Sequence, residues 1–254
     1  LRKKNILNYN NYFIFVTENK DTYMKKFAKK NNILCLDHDP NIGGRFSIFS
    51  ITALLPLISV GHKLEKFLTS FKKAQNKFLK NHTELSKSIF DSIYFEKKYN
   101  LNLVVGISYH DKINAVNEWY RQIFAESLGK NKKAKNYISS YGSIDQHSQF
   151  QLYIDGPFDK QFTFFKLKTS RKPLTSSSNL INGYNLISTL EEGAIKTLQQ
   201  KKFLVTQISI KDNFEDYCYL IYYLIFSIYL RSKFENINFL DQPAVEILKK
   251  NTKA

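Results

Sequence analysis

LNLVVGIS at residues 101–108, followed almost at once by DKINAVNEWYRQIFAESL, Asp111–Leu128, decides the fold class. The first segment is a short, nearly unbroken run of Val, Leu and Ile, as expected of a strand covered on both faces. The second repeats apolar residues at Ile113, Val116, Tyr120 and Ile123, a helical spacing, and stops at Gly129 in a C-terminal glycine position. A short strand is expected at 137–139. Strand, helix, strand in this order predicts a parallel pair joined by a helical crossover.

The same alternation continues outward. C-terminally, a helix is expected at 145–153, a strand at 161–168, a polar loop at 169–178, a helix at 187–200 and a strand at 203–210. A buried helix at 213–231 and a short helix at 242–250 follow, with Pro243 in the first turn, where proline is tolerated. N-terminally, strands are expected at 12–17 and 33–36 around a helix at 21–30. A tight loop, NIGGR at 41–45, leads into an apolar helix at 46–60. Residues 63–99 read as two lysine-rich helices broken near Asn81-His82. The fold class is therefore α/β with parallel sheets. The second block is complete, and the first reads as the tail of one.

The 254 residues are 43% hydrophobic, enough to bury a core, which excludes disorder. The net charge of +16 raises nucleic acid or an anionic ligand as partner. Only Arg2, Arg45, Arg121, Arg171 and Arg231 are arginines, and the lysines are dispersed, so a solvated lysine surface is favoured over a nucleic-acid groove. Cys35 and Cys218 are far apart with no CxxC, which argues against a disulfide framework or a zinc site and for reduced thiols in the cytoplasm. YCYLIYYLIFSIYL at 217–230 is 14 residues, short of the ~20 a membrane span needs. The first residue is Leu1, so a truncated or processed chain is expected, and no signal peptide is visible.

Four segments hold candidate chemistry. Gly43-Gly44-Arg45 lets the backbone approach a ligand and sets a planar cation beside it, although a turn with a surface arginine reads as well. Gln122 and Glu126 are four apart on one helix face. At the helix C-terminus the dipole disfavours a carboxylate, a placement that suits a general base working near neutrality. Taken alone, that helix favours an ordinary solvated glutamate. His147 lies in a polar stretch, DQHSQ, as a proton carrier or merely a surface histidine. In DQPAVEILK, Gln242, Glu246 and Lys249 share one side of a helix that reads equally as an amphipathic end.

Together and in this order, NIGGRFSIFSITALLPL, WYRQIFAESLGK, DQHSQFQLYIDGP and DQPAVEILK resemble the glucose-6-phosphate isomerase family, over residues 15–250. The resemblance implies three-layer αβα sandwich domains of SIS type, the N-terminal one incomplete. Residues 1–60 would be the remnant of a first SIS domain, 61–100 a helical connection, and 101–254 a second SIS domain with the C-terminal helix. It implies interconversion of glucose 6-phosphate and fructose 6-phosphate, in glycolysis and gluconeogenesis, by a cytoplasmic homodimer. No cofactor, metal, nucleic acid or membrane is called for. Glu126 stands at the family's base, Arg45 at its enediolate-stabilising arginine and Lys249 at the lysine near the ring oxygen. His147 stands at the ring-opening histidine, which enters from the partner subunit. Gly44, Gln122 and Gln242 match substrate-contacting positions. The Ser/Thr-rich phosphate loop of the family is not found, and residues 15–28 resemble the strand and helix that come after that loop. Without it, substrate affinity is expected to fall. Ala244 and Leu248 stand where the family has glycine. A non-catalytic SIS-type sugar-phosphate binder or truncated remnant is the alternative.

Overall fold

The computed structural model describes residues 9–132, 134–168 and 183–252. The polar loop expected at 169–178 lies outside the described residues. The chain divides into two compact units, Leu1–Leu68 and Thr69–Ala254.

In the first unit, β1 (Ile14–Glu18) and β2 (Leu34–His38) pair in parallel, Ile14 opposite Leu34, with α1 (Tyr23–Lys30) between them in sequence. Thr22 starts α1, its hydroxyl accepting from the Lys25 N–H at 3.2 Å, a cap its sequence position favours. Asn32, at φ 52°, turns the chain toward β2 in a left-handed conformation that asparagine tolerates. The apolar helix expected at 46–60 is two elements. Gly44–Phe49 is a 3-10 helix, and α2 runs Ile51–Ser59. Ser50 separates them because its hydroxyl accepts from the Thr52 N–H and caps α2.

The second unit is built on a four-stranded, wholly parallel sheet in the order β4-β3-β5-β6. The strands are β3 (Leu103–Ser108), β4 (Asn136–Tyr141), β5 (Lys160–Lys168) and β6 (Val205–Lys211). Central β3 and β5 are buried almost throughout, while edge strands β4 and β6 are partly exposed, as a doubly covered parallel sheet requires. Helices cover both faces. Val105, Ile107, Phe162 and Phe164 pack against α6 (Phe150–Asp155) and α7 (Gly183–Gln200) through Phe150, Tyr153, Ala194 and Leu198. On the other face lie α4 (Asp111–Leu128) and α8 (Phe214–Glu235), with the Tyr120 and Phe165 rings 6.4 Å apart. This is the expected three-layer αβα sandwich. α4 comes close to the sheet at Gly106, whose carbonyl accepts from the Asn117 amide at 2.8 Å. A side chain at Gly106 would collide with Asn117 and with the Tyr137 hydroxyl.

Two further expectations fail for physical reasons. α3 (Leu64–Lys98) is one continuous helix. Asn81 and His82 keep their backbone N–H groups, unlike proline, and the His82 ring folds back onto the Leu79 carbonyl at 2.7 Å. The helix expected at 145–153 is instead α5 (Gly142–Asp145), a turn, and α6. The Asp145 carboxylate binds the Ser140 hydroxyl (2.7 Å), the Tyr141 N–H (2.9 Å) and the Ser148 hydroxyl (2.9 Å), which holds a turn there. No described helix is long and apolar enough to cross a membrane.

Candidate active site

α4 places Gln122 and Glu126 one turn apart, and the Gln122 amide donates to Glu126 Oε1 at 2.9 Å. Glu126 is half-buried. Past it, α4 ends at Gly129, whose N–H closes on the Ala125 carbonyl at 2.9 Å. A cleft of about 630 Å3 opens at this end of the helix. That is the size of a small-molecule site. Glu126 and Lys130 line one wall, and Asn238, Asp241, Gln242 and Val245 line another. Gln242 stands at the N-cap position of α9 (Pro243–Asn251), so the start of this helix faces the end of α4.

Of the residues singled out in sequence, the cleft unites Glu126 and Gln242, with Gln122 bonded to Glu126. Lys249 is on α9 but outside the cleft lining, paired with Glu246 at 2.7 Å, and both are more than half exposed. His147 is exposed in the turn between α5 and α6 and does not line the cleft. Gly44 and Arg45 belong to the first unit. Gly44 is exposed. Arg45 is 8% exposed, its guanidinium 5.1 Å from the centre of the Phe46 ring. Among the described residues, no group of three His, Cys, Asp or Glu side chains is placed to hold a metal ion.

Sequence reading missed Lys130 and Glu191. The signal for Lys130 was present, because a lysine just past a helix-ending glycine meets the last carbonyls of the helix. Glu191 gave no signal, since only the fold buries it. It sits on α7, 3.8 Å from Lys166 of β5, with its Oε1 and the Tyr109 hydroxyl both buried without a hydrogen-bond partner. Burial pushes the Glu191 carboxyl from 4.5 up to about 7, Lys166 opposing and Glu192 reinforcing the rise. The folded state therefore holds this proton more tightly than the unfolded chain. The stability tied to it is complete below pH 4.5 and is lost as pH rises through about 7. Denaturation of Glu191→Gln and wild type at pH 4.5 and pH 8 is expected to show the variant gaining about 3 kcal/mol relative to wild type across that window. A constant difference between the two proteins would count against it.

No family model matches the chain. It is 32% identical to the glucose-6-phosphate isomerase of Campylobacter jejuni over 252 residues, 93% of this chain and 61% of that protein. It is 27% identical to a probable glucose-6-phosphate isomerase of Methanococcus maripaludis, covering 98% of this chain and 58% of the relative. The chain thus spans about three fifths of the length of these curated relatives. In fold, it matches a hypothetical protein from Thermus thermophilus with a TM-score of 0.84 at 22% identity, over 97% of this chain and 63% of that one. It also matches a glucose-6-phosphate isomerase from Chlamydia trachomatis with a TM-score of 0.79 at 17% identity, over 99% and 53%. The SIS-type sandwich expected from the sequence fits these neighbours.

Proposed function

From its homology to glucose-6-phosphate isomerases, we propose that this chain is part of an enzyme interconverting glucose 6-phosphate and fructose 6-phosphate in cytoplasmic glycolysis and gluconeogenesis. The observation that carries the reading is the cleft joining Glu126 of α4 to Gln242 of α9. Isomerisation moves one proton between C2 and C1 of an open-chain sugar. A half-buried carboxylate beside a ligand-sized cleft can take the C2 proton and return it to C1 of the resulting cis-enediolate on the same face. The Gln122 amide, donating to Glu126 Oε1, fixes which way that carboxylate points. Gln242 supplies an amide to the sugar from the opposite wall.

The remaining roles follow from the chemistry each step needs. The ring must open before C2 becomes acidic, which requires an acid-base pair, here His147 and Lys249. The developing enediolate needs a fixed cation, the role given to Arg45, beside Gly44. The exposure of His147 supports its entry into the site of a second subunit in a homodimer. The proton transfer itself calls for no metal or redox cofactor.

The test is turnover of fructose 6-phosphate in deuterated water by the full-length protein, including the two fifths of relatives' length not represented here. Glucose 6-phosphate labelled at C2 is the expected product. Binding of the sugar phosphate without turnover would instead fit a non-catalytic sugar-phosphate binder.

A further inference from the structure

We propose that Lys130 is a positioning residue that clamps the C-terminal helix α9 onto the end of α4 and so sets the separation of Gln242 from Glu126. The inference rests on the isomerase reading only for its effect on catalysis. Its structural part stands on the contacts of one ammonium group.

An ammonium has three protons to donate. Lys130 uses all of them on two segments distant in sequence. One goes back to the Ser127 carbonyl at 3.1 Å, in the last turn of α4 and directly after Glu126. One goes to the Asn238 carbonyl. The third meets Asp241 Oδ1 at 2.7 Å, directly before Gln242. The lysine side chain is 12% exposed, so water competes poorly for these protons. The carbonyl it meets on α4 is at the negative end of the helix dipole, where a cation is favoured.

The receiving loop is shaped for this contact. Asn236 adopts φ 53°, a left-handed cap that turns the chain off α8. Ile237 is buried, and the Asn238 amide donates to Asp241 Oδ2 at 3.1 Å while its side-chain carbonyl oxygen accepts from the Leu240 N–H at 3.1 Å. The loop thus reaches Lys130 as a preformed unit with one carbonyl and one carboxylate presented together. α9 itself has no buried residue. A helix without a buried face depends on what holds its start, and here the start is held through Asp241 and Asn238. A ~1 Å error in that placement is enough to cost a large factor in rate, because the reacting groups must meet the sugar together.

Lys130→Met removes all three donors while keeping an unbranched side chain only one atom shorter. Asp241→Asn removes the charge at an exposed site where folding is not at risk. In full-length protein, both variants are expected to lower kcat/KM for fructose 6-phosphate at least tenfold while leaving the pH profile of kcat in place. Amide hydrogen exchange is expected to accelerate at least tenfold over residues 243–251, with β3 and β5 unaffected. Together the two variants are expected to cost little more than Lys130→Met alone. Unchanged exchange over 243–251 would overturn the clamp. Faster exchange with unchanged kcat/KM would overturn its role in catalysis. Wild-type protein without turnover would sink the isomerase reading, and the exchange measurement then decides the clamp by itself.

Discussion

Glu126→Gln in the full-length protein is expected to lower kcat for fructose 6-phosphate about 10²–10⁴-fold, with KM nearly unchanged. The substituted amide has the shape of the carboxylate and still offers an oxygen to the Gln122 amide, which reaches Glu126 Oε1 at 2.9 Å in the native side chain. The cleft at the end of α4 keeps its form, so ground-state binding is preserved. What disappears is a group able to accept the C1 proton of the ketose and deliver it to C2, whose interaction develops only in the transition state. A loss of this size corresponds to roughly 3–5 kcal/mol of transition-state stabilisation. A KM effect without a kcat effect would assign Glu126 to binding and remove it as the base. The same variant probes the origin of His147. If His147 serves the partner's site, neither Glu126→Gln nor His147→Ala is active alone. After subunit exchange, about a quarter of wild-type activity returns, since half the dimers are mixed and one of their two sites is intact. No recovery would place both groups in one subunit.

The parts of this fold written in local spacing were legible. β3 and α4 were readable because an apolar run and a 3.6-residue period are properties of contiguous residues, and Gly129 marked the end of α4. The order β4-β3-β5-β6 was not, because it depends on which crossover returns to which edge. The turn at His147 was hidden because Asp145 draws three donors to itself, a tertiary choice invisible in the composition of DQHSQ. In the site, Gln122 and Glu126 were readable as a helical i,i+4 pair. Their meeting with Gln242 was not, since it depends on a loop held by a lysine far away in sequence. Arg231 shows the opposite error. As a basic residue near the C-terminal end of α8 it suits the helix dipole, yet it follows the buried Leu224, Ser227 and Ile228 on the inward side of that helix. Helical phase, more than residue type, decides its environment.

That inward arginine makes Glu96→Ala the most destabilising substitution expected in the second unit. Glu96, on α3, is 3% exposed. Arg231 grips it at both oxygens, Nη1 to Oε2 at 2.8 Å and Nη2 to Oε1 at 2.7 Å, and also donates to the Ser92 hydroxyl at 3.0 Å. The amide of Gln161, on β5, completes the carboxylate. The cluster therefore ties α3 and α8 to the sheet. The guanidinium also lies 5.8 Å from the centre of the Phe124 ring, two residues before Glu126. Removing Glu96 leaves a guanidinium buried without its counter-charge, at a cost of about 3–5 kcal/mol. Against a total stability of ~5–15 kcal/mol for a folded domain, that is a large share. The cost arises from the orphaned charge and not from loss of a strong net attraction, because burying both ions was itself expensive. Glu96→Leu combined with Arg231→Met should therefore be less destabilising than Glu96→Ala alone. Urea denaturation of the three proteins distinguishes the two accounts. A double variant worse than the single one would mean the ion pair stabilises the fold outright. The expected order means its main effect is to fix how α3, α8 and β5 meet beneath the helix that carries Glu126.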